Sequence, residues 1–163
     1  MNSLKRILLV EDSPRDAELI LDALEPHHLA GEVMHVRDGA EALDYLYRRG
    51  DFASRSDGQP VLMLLDLKLP KVDGLEVLRQ IKGDAALKMI PIVMMTSSRQ
   101  EQDLIRSYEL GVNAYVVKPM KFQDFVEAVK QVSGFWAVIN EVPESLHRGE
   151  SVGASSASAN AKT

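Results

Sequence analysis

A chain of 163 residues, 45% apolar and 26% charged, has the length of one globular domain with appendages and enough apolar side chains for a continuous core. Its net charge of -5, with acidic and basic residues interspersed, lacks the basic stripe that grips a phosphate backbone, which argues against direct nucleic-acid binding. It contains no cysteine, so a disulfide scaffold, thiolate catalysis and a cysteine-ligated metal are excluded. The start, MNSLKRILLVEDS, holds an apolar run of only four residues before Glu11 and Asp12, too short for a signal peptide or a membrane span. A cytoplasmic protein with no membrane partner is expected.

Short apolar runs then alternate with longer segments of helical period. Ile7 to Val10 is the first run. Ser13-Pro14 behind it offers an N-cap and a proline at the first helical position, and Ala17, Ile20, Leu21 and Leu24 recur as on an amphipathic helix. Gly31 follows that helix. A weaker run, Glu32 to Val36, precedes a helix through Ala42, Leu43 and Leu46 that ends near Gly50. Residues 51 to 60, DFASRSDGQP, form a polar insertion expected as an exposed loop. Val61 to Leu65 leads into a helix through Leu75, Leu78 and Ile81. Ile90 to Met95 leads into one through Leu104, Ile105 and Tyr108 that Gly111 follows. Ala114 to Val117 leads into a fifth, from near Phe122 through Phe125, Val126, Val129 and Val132.

Five βα units result. Runs that are apolar at consecutive positions suit strands covered on both faces, and right-handed crossovers place helices on both sides of one parallel sheet. The expected fold is therefore a doubly wound α/β three-layer sandwich spanning residues 1 to 135. The fifth helix is expected to continue through Gly134-Phe135-Trp136-Ala137-Val138-Ile139 to about residue 141 before Pro143. Residues 142 to 163 are poor in large apolar side chains and rich in Ser and Ala, which predicts a disordered tail.

In such sheets ligands bind beyond the carboxyl ends of the strands. Glu11 and Asp12 follow the first strand and Asp66 follows the third. At ~4 Å and an effective dielectric of ~20, each like-charge pair would cost about 4 kcal/mol. A divalent cation relieves that repulsion, and Mg²⁺ favours a few carboxylates, a backbone carbonyl and retained waters. Taken singly, Asp12 or Ser13 reads equally well as a helix cap and Asp66 as a turn residue. The fourth strand ends in Thr96-Ser97-Ser98 and the fifth in Lys118-Pro119, so a hydroxyl and an ammonium join the acids at one edge. Phosphoryl transfer to a carboxylate needs that set: a nucleophile, Asp66; metal-holding acids, Glu11 and Asp12; and groups for the phosphoryl oxygens, Thr96 and Lys118.

ILLVEDS, LLDLKLPKVDG, PIVMMTSS and NAYVVKP, in this order and spacing, resemble the receiver domain of two-component response regulators over roughly residues 4 to 135. The resemblance implies a flavodoxin-like (βα)5 fold with strand order 2-1-3-4-5. It implies that a partner histidine kinase phosphorylates Asp66, and that Mg²⁺ is held by Asp12, Asp66 and the main-chain carbonyl of Lys68, with Glu11 acting through water. It also implies a cis bond at Lys118-Pro119, and a switch in which Thr96 moves toward the phosphoryl group while Tyr115 turns inward behind it. Without the resemblance Tyr115 reads as a half-buried strand aromatic with its hydroxyl in water. Such a domain assists its own phosphorylation and dephosphorylation but is not a turnover enzyme. Lys68 and Ser98 flank the path by which water would reach the acyl phosphate. EALDYLYRRG, LKLPKVDGLEVLRQIK and the long C-terminal helix look most like the small stand-alone regulators of bacterial phytochrome-type kinases. Whether phosphate passes onward to a histidine phosphotransfer protein is left open.

Fewer than thirty residues follow the fifth unit, so no DNA-binding module is expected there. The apolar extension of the fifth helix, with Phe135, Trp136 and Ile139, instead suggests a homodimer joined through it, the alternative being an extension folded back on its own domain. His27, His28, His35 and His147 are scattered and fit neither a metal cluster nor a phosphodonor. A flavin-binding domain would show a Ser/Thr/Gly-rich loop where EDSPRD presents carboxylates. An aspartyl-phosphate phosphatase would show Asp where Lys68 stands. The remaining competitor is a receiver that has lost phosphorylation and acts only as a binding module.

Overall fold

The computed structural model describes residues 6–25 and 32–148. Five parallel strands, β1 (Ile7–Val10), β2 (Val33–Val36), β3 (Leu62–Leu65), β4 (Ile92–Thr96) and β5 (Ala114–Val117), form one sheet in the order β2-β1-β3-β4-β5. The helices between them are α1 (Pro14–Leu24), α2 (Gly39–Tyr47), α3 (Gly74–Gly83) and α4 (Glu101–Glu109), and α5 (Phe122–Ser133) follows the last strand. This is the expected doubly wound fold.

The consecutive apolar residues divide between two cores because side chains alternate across a strand. Leu8, Val10, Met63, Leu65, Ile92 and Met94 pack with α2 and α3 on one face. Ile7, Leu9, Leu62, Leu64, Val93 and Met95 pack with α1 and α5 on the other. The edge strands β2 and β5 are only half-buried, whereas β1, β3 and β4 are buried throughout. Ser13 caps α1 as expected, its hydroxyl accepting from Asp16 N at 3.3 Å. Among the described residues no helix is long and apolar enough to cross a membrane.

Two segments differ from expectation. The insertion at 51–60 is anchored rather than freely exposed. It opens with a 3-10 turn at Gly50–Phe52, and the Arg55 guanidinium lies 4.0 Å over the Tyr45 ring and donates to Tyr45 O, Asp57 Oδ1, Gly58 O and Gln59 Oε1. A cation this well supplied with acceptors pins a polar loop that has few apolar side chains of its own. The tail likewise does not begin in disorder. Behind α5 comes a π-helical turn, Gly134–Ile139, closed by extended Asn140. A short helix, α6 (Glu144–Arg148), then returns to the sheet, where Leu146 is 2% exposed in the α2/α3 core and its carbonyl accepts from Gln59 N at 2.7 Å. Val142 touches both cores on the way. One well-placed leucine and one backbone pairing order what average composition predicts to be loose. His27, His28, Gly31 and the tail from residue 149 lie outside the described residues.

Candidate functional site: an acidic cluster at the strand ends

Glu11 and Asp66 each follow the end of a buried strand. Glu11 leaves β1, and its N–H still donates to Val36 O of β2, which fixes the backbone while the side chain turns over the sheet edge. Asp66 leaves β3 with its N–H on Val10 O. Glu11 is 2% and Asp66 9% exposed, and the sheet order places β1 beside β3. Ligand oxygens of Glu11, Asp12 and Asp66 all lie within 4.8 Å of one another.

Lys118, behind β5, crosses to this cluster. Its Nζ donates to Glu11 Oε2 at 2.7 Å, Asp16 Oδ2 at 2.9 Å and Asp66 Oδ2 at 3.1 Å. Burial lowers the affinity of Lys118 for its proton, but the bonds to Glu11 and Asp16 and the charges of Asp66 and Glu11 outweigh it, so the ammonium is held above its ordinary pKa. Burial is also the largest influence on Glu11 and drives its carboxyl upward, with Asp66 adding to the effect and Lys118 opposing it. The Asp66 carboxylate also accepts from Lys68 N at 3.3 Å through Oδ1. Three carboxylates thus face one ammonium, and Asp12 adds a fourth acid beside Glu11 and Asp66. The unbalanced charge, the hard oxygen donors and their spacing fit a divalent cation such as Mg²⁺.

The loop behind Asp66 is tightly specified. Lys71 has φ 65 and Val72 N donates to Pro70 O at 2.8 Å, a γ-turn. Asp73 then caps α3 through Glu76 N. Gly74 lies against the loop so closely that a Cβ would come within 2.2 Å of Asp66 O and 2.7 Å of Leu67 Cα. Beside this loop opens a cleft of about 520 Å³ lined by Asp12, Lys68, Pro70 and Asp103 among others.

Of the residues singled out from sequence, Glu11, Asp12, Asp66 and Lys118 meet. Thr96 and Tyr115 stand on the neighbouring strands and are joined to each other through Ser98. Its N–H donates to Thr96 Oγ1 at 3.2 Å, its carbonyl accepts from the Tyr115 hydroxyl at 3.1 Å, and its own hydroxyl reaches Asp103 at 2.5 Å. Tyr115 is therefore half-buried, as its position in a strand suggests, but its hydroxyl is bonded to protein. The expected cis bond at Lys118-Pro119 is corrected: among the described residues no peptide is cis. Trans is the intrinsically favoured isomer, and from it Lys118 N still bonds Thr96 O while Nζ reaches the carboxylates. Trp136, expected at a dimer interface with Phe135 and Ile139, is partly buried against its own core. Phe125, Val129, Ser133 and Ala137 form the buried stripe at intervals of four, and Trp136 borders it. Asp16 is absent from the residues the sequence singles out. Its one signal is position, an acid in the first turn of α1 behind the Ser13 cap.

Residues 7–130 match the response regulator receiver domain family. The chain belongs to that family. Across the receiver and its extension it is 42% identical over 135 residues to the response regulator Rcp1 of Synechocystis, covering 83% of this chain and 90% of the relative. The phosphorylated cyanobacterial phytochrome response regulator RcpA superposes with a TM-score of 0.80 at 44% identity, covering 85% of this chain and 98% of that one. The bacteriophytochrome response regulator AtBRR superposes with a TM-score of 0.67 at 61% identity, covering 85% and 99%. A crystal structure of Rcp1 is of its Mn²⁺-bound form. This receiver is thus related to phytochrome response regulators.

Proposed function

We propose that this chain is a cytoplasmic response regulator that accepts a phosphoryl group on Asp66 from a phytochrome-type histidine kinase and, once modified, switches a protein-interaction face. The observation that carries the proposal is the Asp66 carboxylate at the sheet edge, held 3.1 Å from Lys118 Nζ and within 4.8 Å of two further acids. In the transfer, an Asp66 oxygen attacks phosphorus, the P–N bond to the kinase histidine breaks, and the leaving imidazole is neutral once it carries a proton. Glu11, Asp12 and Asp66 with the Lys68 carbonyl would hold Mg²⁺, which would supply positive charge for the phosphoryl oxygens. Lys118 provides the second cation and Thr96 a hydroxyl. The phosphoryl group resides on the protein itself and then passes to water, so the chain is not a turnover enzyme.

The switch reading rests on the bonds from Ser98 to Thr96 Oγ1 and Tyr115. A Thr96 hydroxyl drawn to a new dianion disturbs the Ser98 loop and with it α4 and β5. Relatives named for phytochromes, covered nearly end to end, favour a phytochrome-type kinase as partner. The exposed Phe135, Val138 and Ile139 favour a second copy of the chain as a further partner. Intact mass after incubation with acetyl phosphate and Mg²⁺ tests the reading: one phosphoryl mass is expected, lost on chelation of the metal. No gain would support the competing receiver that only binds.

A further inference from the structure

Lys118 carries three N–H donors, and all three are engaged by carboxylates from different elements: Glu11 behind β1, Asp66 behind β3 and Asp16 on α1. Glu11 and Asp66 belong to the trio whose oxygens lie within 4.8 Å of one another; Asp16 does not. Asp16 is the third residue of α1, behind the Ser13 cap. There an acidic side chain ordinarily reaches back to the backbone N–H of the cap. Here that N–H is taken by Glu11 Oε1 at 3.1 Å, and the Asp16 carboxylate extends to Lys118, 102 residues away in the chain.

We propose that Asp16 is a positioning residue for phosphoryl transfer, a private counter-ion that keeps the Lys118 ammonium over Asp66 while the other two carboxylates change partners. The inference rests on Asp66 being the phosphoacceptor. When Asp66 becomes an acyl phosphate its carboxylate charge is lost from the bond to Lys118, and when Glu11 and Asp66 turn to a cation both of their bonds weaken. The bond to Asp16 depends on neither event. It therefore holds a flexible four-carbon side chain at the point where the phosphoryl oxygens arrive.

Two readouts on the full chain test this, with Asp16→Ala and the near-isosteric Asp16→Asn. The first is the Lys118 side-chain ammonium resonance, assigned with Lys118→Arg and followed before and after Mg²⁺ addition. It is expected to persist in the wild-type protein under both conditions and to be lost on Mg²⁺ addition in Asp16→Ala. The second is the rate of labelling by acetyl phosphate at saturating Mg²⁺, expected to fall about tenfold in Asp16→Ala and less in Asp16→Asn. A wild-type labelling rate in both variants, or a Lys118 resonance indifferent to Asp16, would overturn the assignment. Failure of the wild-type protein itself to label would instead count against Asp66 as phosphoacceptor, and the resonance would still report on the tether.

Discussion

Asp66 is held from two sides, by Lys118 on its carboxylate and by Gly74 behind its carbonyl, and the second contact is the less forgiving. A Cβ at Gly74 would meet backbone atoms at 2.2 and 2.7 Å, and backbone cannot rotate away as a side chain can. Gly74→Ala is expected to cost about 1–3 kcal/mol in urea unfolding and to slow acetyl phosphate labelling, because the loop that must yield carries the acceptor. Undiminished stability would show that the loop has slack. At this scale the sequence is informative where a residue ends a strand: Glu11, Asp66, Thr96 and Lys118 are all found that way. Asp16 is invisible by the same logic, since an acid in a first helical turn is ordinary. Only the third dimension shows that Glu11 has taken the bond Asp16 would otherwise make.

Among the elements, the strands and four of the helices are legible because both cores are built from strict alternation along β1, β3 and β4 and from stripes at three- to four-residue intervals on α1, α2, α3 and α5; α4 instead buries Ser107 and leaves Ile105 and Tyr108 exposed. The C-terminal return is not, because α6 is only five residues long and contributes one large buried side chain. Leu146 nevertheless fills the α2/α3 core, and its carbonyl holds Gln59. Leu146→Ala is expected to lower stability by about 2–5 kcal/mol, measured by denaturant unfolding with unchanged cooperativity. A change below experimental error would mean that α6 is detached in solution. Lys82 makes a comparable tie on the same face: its ammonium donates to Lys88 O, Ile90 O and Asn113 Oδ1, and the same Asn113 oxygen accepts from Ile92 N, joining α3 to the starts of β4 and β5.

For the whole molecule, the parallel sheet gathers residues distant in sequence at one edge, and in the function proposed above that edge takes a reversible charge. The apolar surface beyond α5 bears on the proposed pairing with a second copy. Phe135 is 47% and Ile139 69% exposed; such side chains on a helical extension favour contact with another copy. Replacing both with Glu is expected to reduce the solution mass, by sedimentation, from a dimer to a single chain, and an unchanged mass would count against this interface. The central claim concerns Asp66. Transfer of radiolabelled phosphate from a purified phytochrome-type histidine kinase, in Mg²⁺, to the wild-type chain and to Asp66→Asn tests it most directly. The wild-type chain is expected to gain a hydroxylamine-labile label and Asp66→Asn none; equal labelling of the two would contradict the account.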